Sequence, residues 1–341
     1  MNPLTSSELD TIASATYRKT AEIGLRHAQL NQPLIARTVA DLDPAAWPGV
    51  SAIVVAAGPS LHRTEAARRI RDAAYRGAVI ACDGALGSCL REGLVPDFVV
   101  SVDPHPTRIV RWFGDPDLAS RADDDYFRRQ DLDPYLNRDE QARNQELLEL
   151  VNRHGPSITA LLSTSVSPTV SRRIVGAGMP VYWWNPIYDD YDDSSSTTRK
   201  IFELTGAPCL VTGGNCGTSA WVLAGAVLAR REVAVVGMDL GYPPDTPLER
   251  TQYYQKIQGL LGDRAADGYI KVWNPHLQQV WCTDPTYWWY RESFLALARR
   301  APYQTSNCTA GGILFGEGVL WEPLSEFLSR QRETDGEDSH H

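Results

Sequence analysis

Short runs of consecutive apolar residues set the rhythm of this chain. Residues 52–57 are apolar and stop at Gly58-Pro59-Ser60-Leu61. Residues 78–81 stop at Cys82-Asp83-Gly84, and residues 98–102 stop at Asp103-Pro104-His105-Pro106. Between the first two runs, Ala66, Ala67, Ile70, Ala73 and Ala74 keep the spacing of one helix face. The pattern predicts strand, helix, strand, helix, strand. Short strands that are apolar along their length belong in parallel sheets covered on both faces. The expected fold is therefore α/β, a Rossmann-like, mainly parallel sheet with helices on both faces and an N-terminal helical arm. In such sheets ligands bind beyond the carboxyl ends of the strands. The polar residues that end each run are thus the first place to look for chemistry.

The alternation continues along the chain. Residues 158–162, 180–184, 209–212 and 233–236 are predicted strands. Helices are predicted over 138–154, from Ser167-Pro168 onward, and over 198–204, 221–228, 287–300 and 324–332. Residues 188–199 lack apolar periodicity and read as a loop. The acidic stretch 114–138 reads as a surface excursion or lid, or as plain solvated charge. Residues 1–48 read as the helical arm, with Ile12, Ile23, Leu25 and Leu30 as apolar points and a stop at Pro44 and Trp47-Pro48-Gly49. The division is an arm at 1–48, a catalytic domain at 49–330 and a disordered tail at 331–341. Beyond Tyr242 the chain is crowded with Tyr253, Tyr254, Trp273, Trp281, Tyr287, Trp288, Trp289 and Tyr290. Such density serves core or interface packing, or stacking of a flat ligand on one or two rings.

Composition narrows the functional classes. The 341 residues are 43% hydrophobic and 22% charged, as in soluble globular proteins. A net charge of -9 argues against general nucleic-acid binding. No apolar run approaches the roughly 20 residues of a membrane span, and the first residues lack the pattern of a signal peptide. The expected location is the cytoplasm. Six cysteines occur without a C-x-x-C pair, which favours buried free thiols over a zinc site or disulfide framework.

Two strand-to-helix junctions carry the strongest chemical signal. At Gly58-Pro59-Ser60-Leu61, backbone N–H groups suit a phosphate, and Ser60 suits either a helix cap or a phosphate contact. Neither a G-x-x-x-x-G-K-[ST] nor a G-x-G-x-x-G after the first strand is present, so this is not a P-loop or an NAD fingerprint. The turn Gly213-Gly214-Asn215-Cys216-Gly217-Thr218-Ser219 suits close backbone approach to a ligand, or a glycine turn with a polar cap. Two such junctions point to a nucleotide in one cleft between them. On that reading Gly214→Val is expected to weaken nucleotide binding far more than it lowers stability. Asp83, Asp97, Asp103 and Asp239 sit near strand boundaries, where a carboxylate holds Mg²⁺ through phosphates, accepts ribose hydroxyls, acts as a base, or simply caps a turn. His105, between two prolines, reads as an acid, a base, a phosphate contact or a structural residue.

The ordered series A-x-G-P-S-L, A-C-D-G-A-L, G-L-V-P-D-F-V-V-S-V-D-P, G-G-N-C-G-T and V-G-M-D-L-G-Y resembles the family named for archaeal 6-hydroxymethylpterin diphosphokinase (MptE-like). That family includes the motility-associated-factor proteins, implicated in glycosylating flagellin, and resembles distantly the bacterial sialyltransferases. The resemblance covers residues 51–112 and 206–242, and extends to T-D-P-T-Y and N-C-T-A-G-G-I-L-F-G-E-G within 283–318. The tip Ser101-Val102-Asp103-Pro104 looks closer to the motility-factor branch. That branch implies glycosyl transfer from a nucleotide-activated, CMP-type sugar to a small-molecule or protein hydroxyl acceptor, with no cofactor required. The nucleotide would then lie on Gly58, Pro59, Ser60, Leu61, Asp83, Gly213, Gly214, Asn215, Gly217, Thr218 and Asp239, with Asp103 and His105 catalytic. The pterin branch implies diphosphate transfer from ATP, with Mg²⁺ held by Asp83 and Asp103. A third expectation is a nucleotide-binding protein without turnover.

Overall fold

The residues of Ser51–Val55 and Ala78–Cys82 are all buried, as strands covered on both faces require. A computed structural model describes residues 20–47, 49–105, 107–120 and 140–338. Its strands are β1 (Ser51–Val55), β2 (Ala78–Cys82), β3 (Phe98–Ser101), β4 (Thr159–Ser163), β5 (Val181–Pro186), β6 (Cys209–Leu210), β7 (Glu232–Val236), β8 (Ile270–Asn274), β9 (Gln279–Thr283), β10 (Gln304–Asn307) and β11 (Leu320–Trp321). Among the described residues nine of them form one sheet in the order β11-β10-β7-β1-β2-β3-β4-β5-β6. Every pairing in it is parallel. The α/β expectation is met. β8 and β9 form a separate antiparallel hairpin.

The order of the strands reverses at β1. The chain runs outward from β1 to β6, then returns to place β7 on the other side of β1. The return is made by Cys216–Val222, continued as a wider π-helical turn over Leu223–Val227. Ala220, Trp221, Leu223 and Ala224 of this segment are buried in one cluster with Ala52, Val54, Ile80, Phe98 and Val100. Its small residues let the helix lie close to the sheet. The opposite face is covered by Leu61, Ala66, Ala67 and Ile70 and by the terminal helix Leu324–Asp338, through Leu324, Phe327 and Leu328. Beside them, Asp83–Arg91, Glu140–His154 and Pro168–Gly176 pack Leu86, Leu90, Leu147, Val151, Val170 and Ile174 over β3 and β4.

The described part of the N-terminal segment is bolted to the sheet. Residues 20–31 are helical. Asn31, fully buried, donates to the carbonyls of Thr164 (2.9 Å) and Val166 (2.8 Å) and accepts from Ser171 Oγ (2.5 Å). His27 Nδ1 lies 3.1 Å from the Ser165 carbonyl. This polar lattice occupies the loop after β4. Ile12 and residues 121–138 of the acidic stretch lie outside the described residues.

The terminal helix extends to Asp338, so residues 331–338, assigned to the tail, are helical. The hairpin, β10 and β11 were not predicted. β10 reads Gln-Thr-Ser-Asn, yet Thr305, Ser306 and Asn307 are buried between β7 and β11. Thr305 accepts from Trp221 Nε1 (3.1 Å), and Asn307 binds the Leu314 carbonyl and the Thr309 N–H (3.0 Å).

Asn31→Ala should separate an anchor from a loose arm. It removes three buried hydrogen bonds and orphans their partners, so we expect a loss of about 2–4 kcal/mol. Urea denaturation checks this. An unchanged midpoint would mean that the segment is dispensable for stability.

Candidate functional site

The tips of β1 and β7 are locked together. Gly58 N donates to Gly237 O (2.7 Å), Ser60 N to Asp239 Oδ2 (3.2 Å), and Leu61 N to Gly58 O (3.0 Å). Ser60 Oγ also donates to Asp239 Oδ2, at 2.7 Å. Pro59 has no N–H. The donors that the sequence offered to a phosphate are thus engaged within the protein. The helix that follows, Ser60–Arg63, is only four residues long. Ser60 neither caps it nor faces the cleft; it holds Asp239. Gly58 is glycine for a steric reason: an added Cβ would lie 2.2 Å from Asp239 Oδ2 and 2.4 Å from Gly237 O. Asp239, expected on the nucleotide, is 1% exposed.

The tips of β2 and β3 bring two carboxylates together. Asp83 Oδ2 accepts from Ser101 Oγ (2.7 Å), and Oδ1 accepts from Gly84 N (2.8 Å). Burial pushes its pKa up from 3.8 to about 6, the charge of Asp103 adds to the rise, and the hydrogen bonds from Ser101 and Gly84 oppose it. Asp103 Oδ1 accepts from His105 N at 2.8 Å. Its pKa is also raised, by loss of hydration first, with the His105 N–H and Arg108 acting the other way. Its surface area is that of an exposed residue, while its lost hydration is that of a buried one. Asp103 is thus open to solvent on one side and packed against the protein on the other. The ring of His105 is oriented by its own turn. Nδ1 accepts from Thr107 N (3.3 Å) and Arg108 N (3.2 Å). Hydrogen-bond logic then places the proton of the neutral ring on Nε2. Asp97 sits at the other end of β3, where Oδ2 accepts from Val79 N at 2.8 Å, and is structural.

Between these tips the floor lacks long side chains. Ala57 is exposed and Gly84 half-buried, and a Cβ on Gly84 would lie 3.1 Å from Ala57 Cβ and 3.7 Å from the Trp112 ring. The start of the returning helix forms the opposite wall. Cys216 Sγ donates to Val100 O at 3.1 Å, and its thiol is held protonated by contact with the Cys82 thiol, by burial and by the charge of Asp83. It is not a poised nucleophile. All six cysteines are free. Asn215 caps this helix, with Oδ1 accepting from Thr218 N (2.9 Å) and Nδ2 donating to Thr218 Oγ1 (2.9 Å). A Cβ on Gly217 would lie 3.3 Å from Met238 Sδ, so this loop also reaches the tip of β7. The two glycine junctions therefore lie on the same edge of the sheet. Among the described residues no three His, Cys, Asp or Glu side chains gather as a metal centre. Asp83 with Asp103 still fits Mg²⁺, which is commonly held by one or two carboxylates together with substrate phosphates.

Gly213 and Gly214 have positive φ, +55° and +83°. A Cβ on Gly214 would meet Trp289 Cζ3 at 2.1 Å and Tyr290 Cε1 at 2.6 Å. The close approach inferred from sequence is real, but its partner is an aromatic wall of the protein. That wall is half-buried and includes Tyr253, Tyr287, Trp289 and Tyr290. Its Tyr287, Trp289 and Tyr290 stand on Pro285–Ala298, whose start is capped by Asp284 accepting from Thr286 N (2.8 Å) and Tyr287 N (3.0 Å). Tyr242 OH donates to the other oxygen of Asp284 at 2.7 Å. The motifs V-G-M-D-L-G-Y and T-D-P-T-Y thus meet in space.

Sheet, reversal and acidic carboxyl edge define a doubly wound α/β protein with its cleft beside the reversal point. The family model described as 6-hydroxymethylpterin diphosphokinase MptE-like matches residues 28–113, the stretch that holds the first three of the motifs read from the sequence. An uncharacterized protein of Treponema pallidum (strain Nichols) is 35% identical over 89 residues, 26% of this chain and 37% of that protein. The solved MAf glycosyltransferase from Magnetospirillum magneticum AMB-1 shares the fold. Its TM-score is 0.56 and its identity 18%, over 89% of this chain and 38% of that one. The chain thus spans well under half the length of either relative. No helix among the described residues is long and apolar enough to cross a membrane.

Gly214→Ala should act on stability. The left-handed backbone costs an L-residue about 1–2 kcal/mol, and overpacking adds about 1–3 kcal/mol. We expect a clear fall in Tm with or without ligand. An unchanged Tm with weakened nucleotide binding would restore the ligand role read from the sequence.

Proposed function

We propose that the chain is a nucleotide-dependent transferase that moves a glycosyl group from a CMP-type activated sugar to a hydroxyl acceptor. The observation that carries this reading is Asp103, exposed at the β3 tip, beside His105, whose Nδ1 accepts two backbone N–H groups so that the neutral ring carries its proton on Nε2. The MptE-like match and the fold shared with a MAf glycosyltransferase support it. The donor lies across Ala57, Gly58 and Gly84, with its nucleotide toward Gly213–Thr218. His105 Nε2–H hydrogen-bonds the leaving phosphate, and Asp103 receives the acceptor's hydroxyl proton. Asp83 holds Ser101, and loss of hydration keeps Asp103 basic. Ser60, Leu61 and Asp239 act at one remove, by holding the β1 loop. A phosphate monoester is the leaving group, so the imidazole donor suffices in this reading without a metal.

One observation favours a second reading, diphosphate transfer from ATP to hydroxymethyldihydropterin. Asp83 and Asp103 repel each other across neighbouring strands, and a cation between them would relieve that repulsion. Bound Mg²⁺ would neutralise the triphosphate. The chain's own part would be to hold the ion through these two carboxylates.

The two readings separate in one assay. CMP release from CMP-sugars, with EDTA or Mg²⁺, is measured beside AMP release from ATP plus hydroxymethyldihydropterin. We expect CMP release that EDTA does not abolish, and a loss of roughly 100-fold in kcat/KM for His105→Ala, the usual scale for a positioned proton donor. Mg²⁺-dependent AMP release without CMP release would reverse the ranking. Unchanged CMP release in His105→Ala would remove His105 from the mechanism.

A further inference from the structure

Asp239 takes no direct part in the chemistry above, yet three loops close on it. Oδ2 accepts both donors of Ser60. Oδ1 is buried and has no hydrogen-bond partner. A Cβ on Gly311 would lie 2.5 Å from Oδ1, and one on Gly312 1.9 Å from the Asp239 carbonyl. That carbonyl accepts from Ile313 N at 2.8 Å, and Met238 N donates to Thr309 Oγ1 at 3.2 Å. The A-G-P-S-L, V-G-M-D-L-G-Y and N-C-T-A-G-G motifs therefore share one buried carboxylate. Of the charged groups around it, Arg63, just beyond the β1 loop, is the one that acts on it. Its guanidinium is half exposed and reaches toward Asp245 at 3.4 Å. The 309–313 loop and the ring of Trp281, packed against Gly311, bring no charge.

We propose that Asp239 is a positioning residue for the Gly58–Leu61 loop, and that its protonation state sets how firmly this loop is held against the 309–313 loop. The ionised carboxylate binds Ser60 well through one oxygen but leaves a buried charge on the other without a donor. Protonation removes that charge and keeps Oδ2 as the acceptor for Ser60. Burial accordingly pushes the Asp239 pKa up from 3.8 to about 7, with Ser60, Arg63 and the residue's own backbone N–H opposing. An opened or unfolded chain ionises near 3.9. The junction is therefore firmest below about pH 4, weakens as pH rises toward about 7, and is level above that. The inference does not depend on which ligand the cleft takes.

Hydrogen exchange of the peptide 57–64, corrected for intrinsic pH dependence, tests this in the full chain from pH 4.5 to 8.5. The opening equilibrium of the wild type, relative to Asp239→Asn, should grow by up to about tenfold per pH unit below pH 6.5 and level off above 7.5. Asn keeps an acceptor for Ser60 and cannot ionise, so its opening should vary little. Should that variant fold poorly, Ser60→Ala is read instead. Loss of the hydroxyl that favours the ionised form should move the wild-type transition to higher pH. A wild-type opening that stays parallel to Asp239→Asn across the range, or a Ser60→Ala transition that moves to lower pH, overturns the proposal.

Discussion

Parallel pairing of β1 with β2 on one side and β7 on the other is the constraint on which the rest of the structure depends. A chain that runs outward from β1 to β6 must return across the sheet to form β7. The returning helix has to be thin, which explains Ala220 and Ala224 under Trp221. Its start is thereby carried from the far edge to the tips of β2 and β3, where Cys216 meets the Val100 carbonyl and Asp83. The same reversal sets the β7 tip beside the β1 tip, so that Asp239 lies under Gly58.

These placements divide the carboxyl edge into two parts with different physical characters. The β1–β7 junction is closed, with its N–H donors satisfied internally and glycines where side chains would collide. The β2–β3 tips are open, with Asp103 accessible, Asp83 short of counter-charge and a floor of Ala57 and Gly84. The β1 loop borders both parts. The N-terminal helix reinforces this division by filling the space after β4 with Asn31 and His27.

The parallel strands of the first half were legible because burial on both faces demands unbroken apolar runs. Seven of the nine strands in the sheet carry that signal. β10 does not, since its buried Thr305 and Asn307 are satisfied by Trp221, Thr309 and Leu314, which lie far away in sequence. At the site, the residue types were legible but not their partners. Gly58 and Gly214 announce close approach, yet only coordinates show that the close neighbours are Asp239 and Trp289. Asp83 and Asp103 were each visible at a strand tip, and their mutual repulsion appears only when β2 and β3 are paired.

The proposed site has its ligand over the open tips of β1, β2 and β3, with the returning helix as a wall. A crystal structure with CMP bound tests it most directly. The account predicts the nucleotide over Ala57 and Gly84, its phosphate near His105 and its remainder toward Asn215. A nucleotide seated at the tips of β4 and β5, or at the amino edge of the sheet, would contradict it.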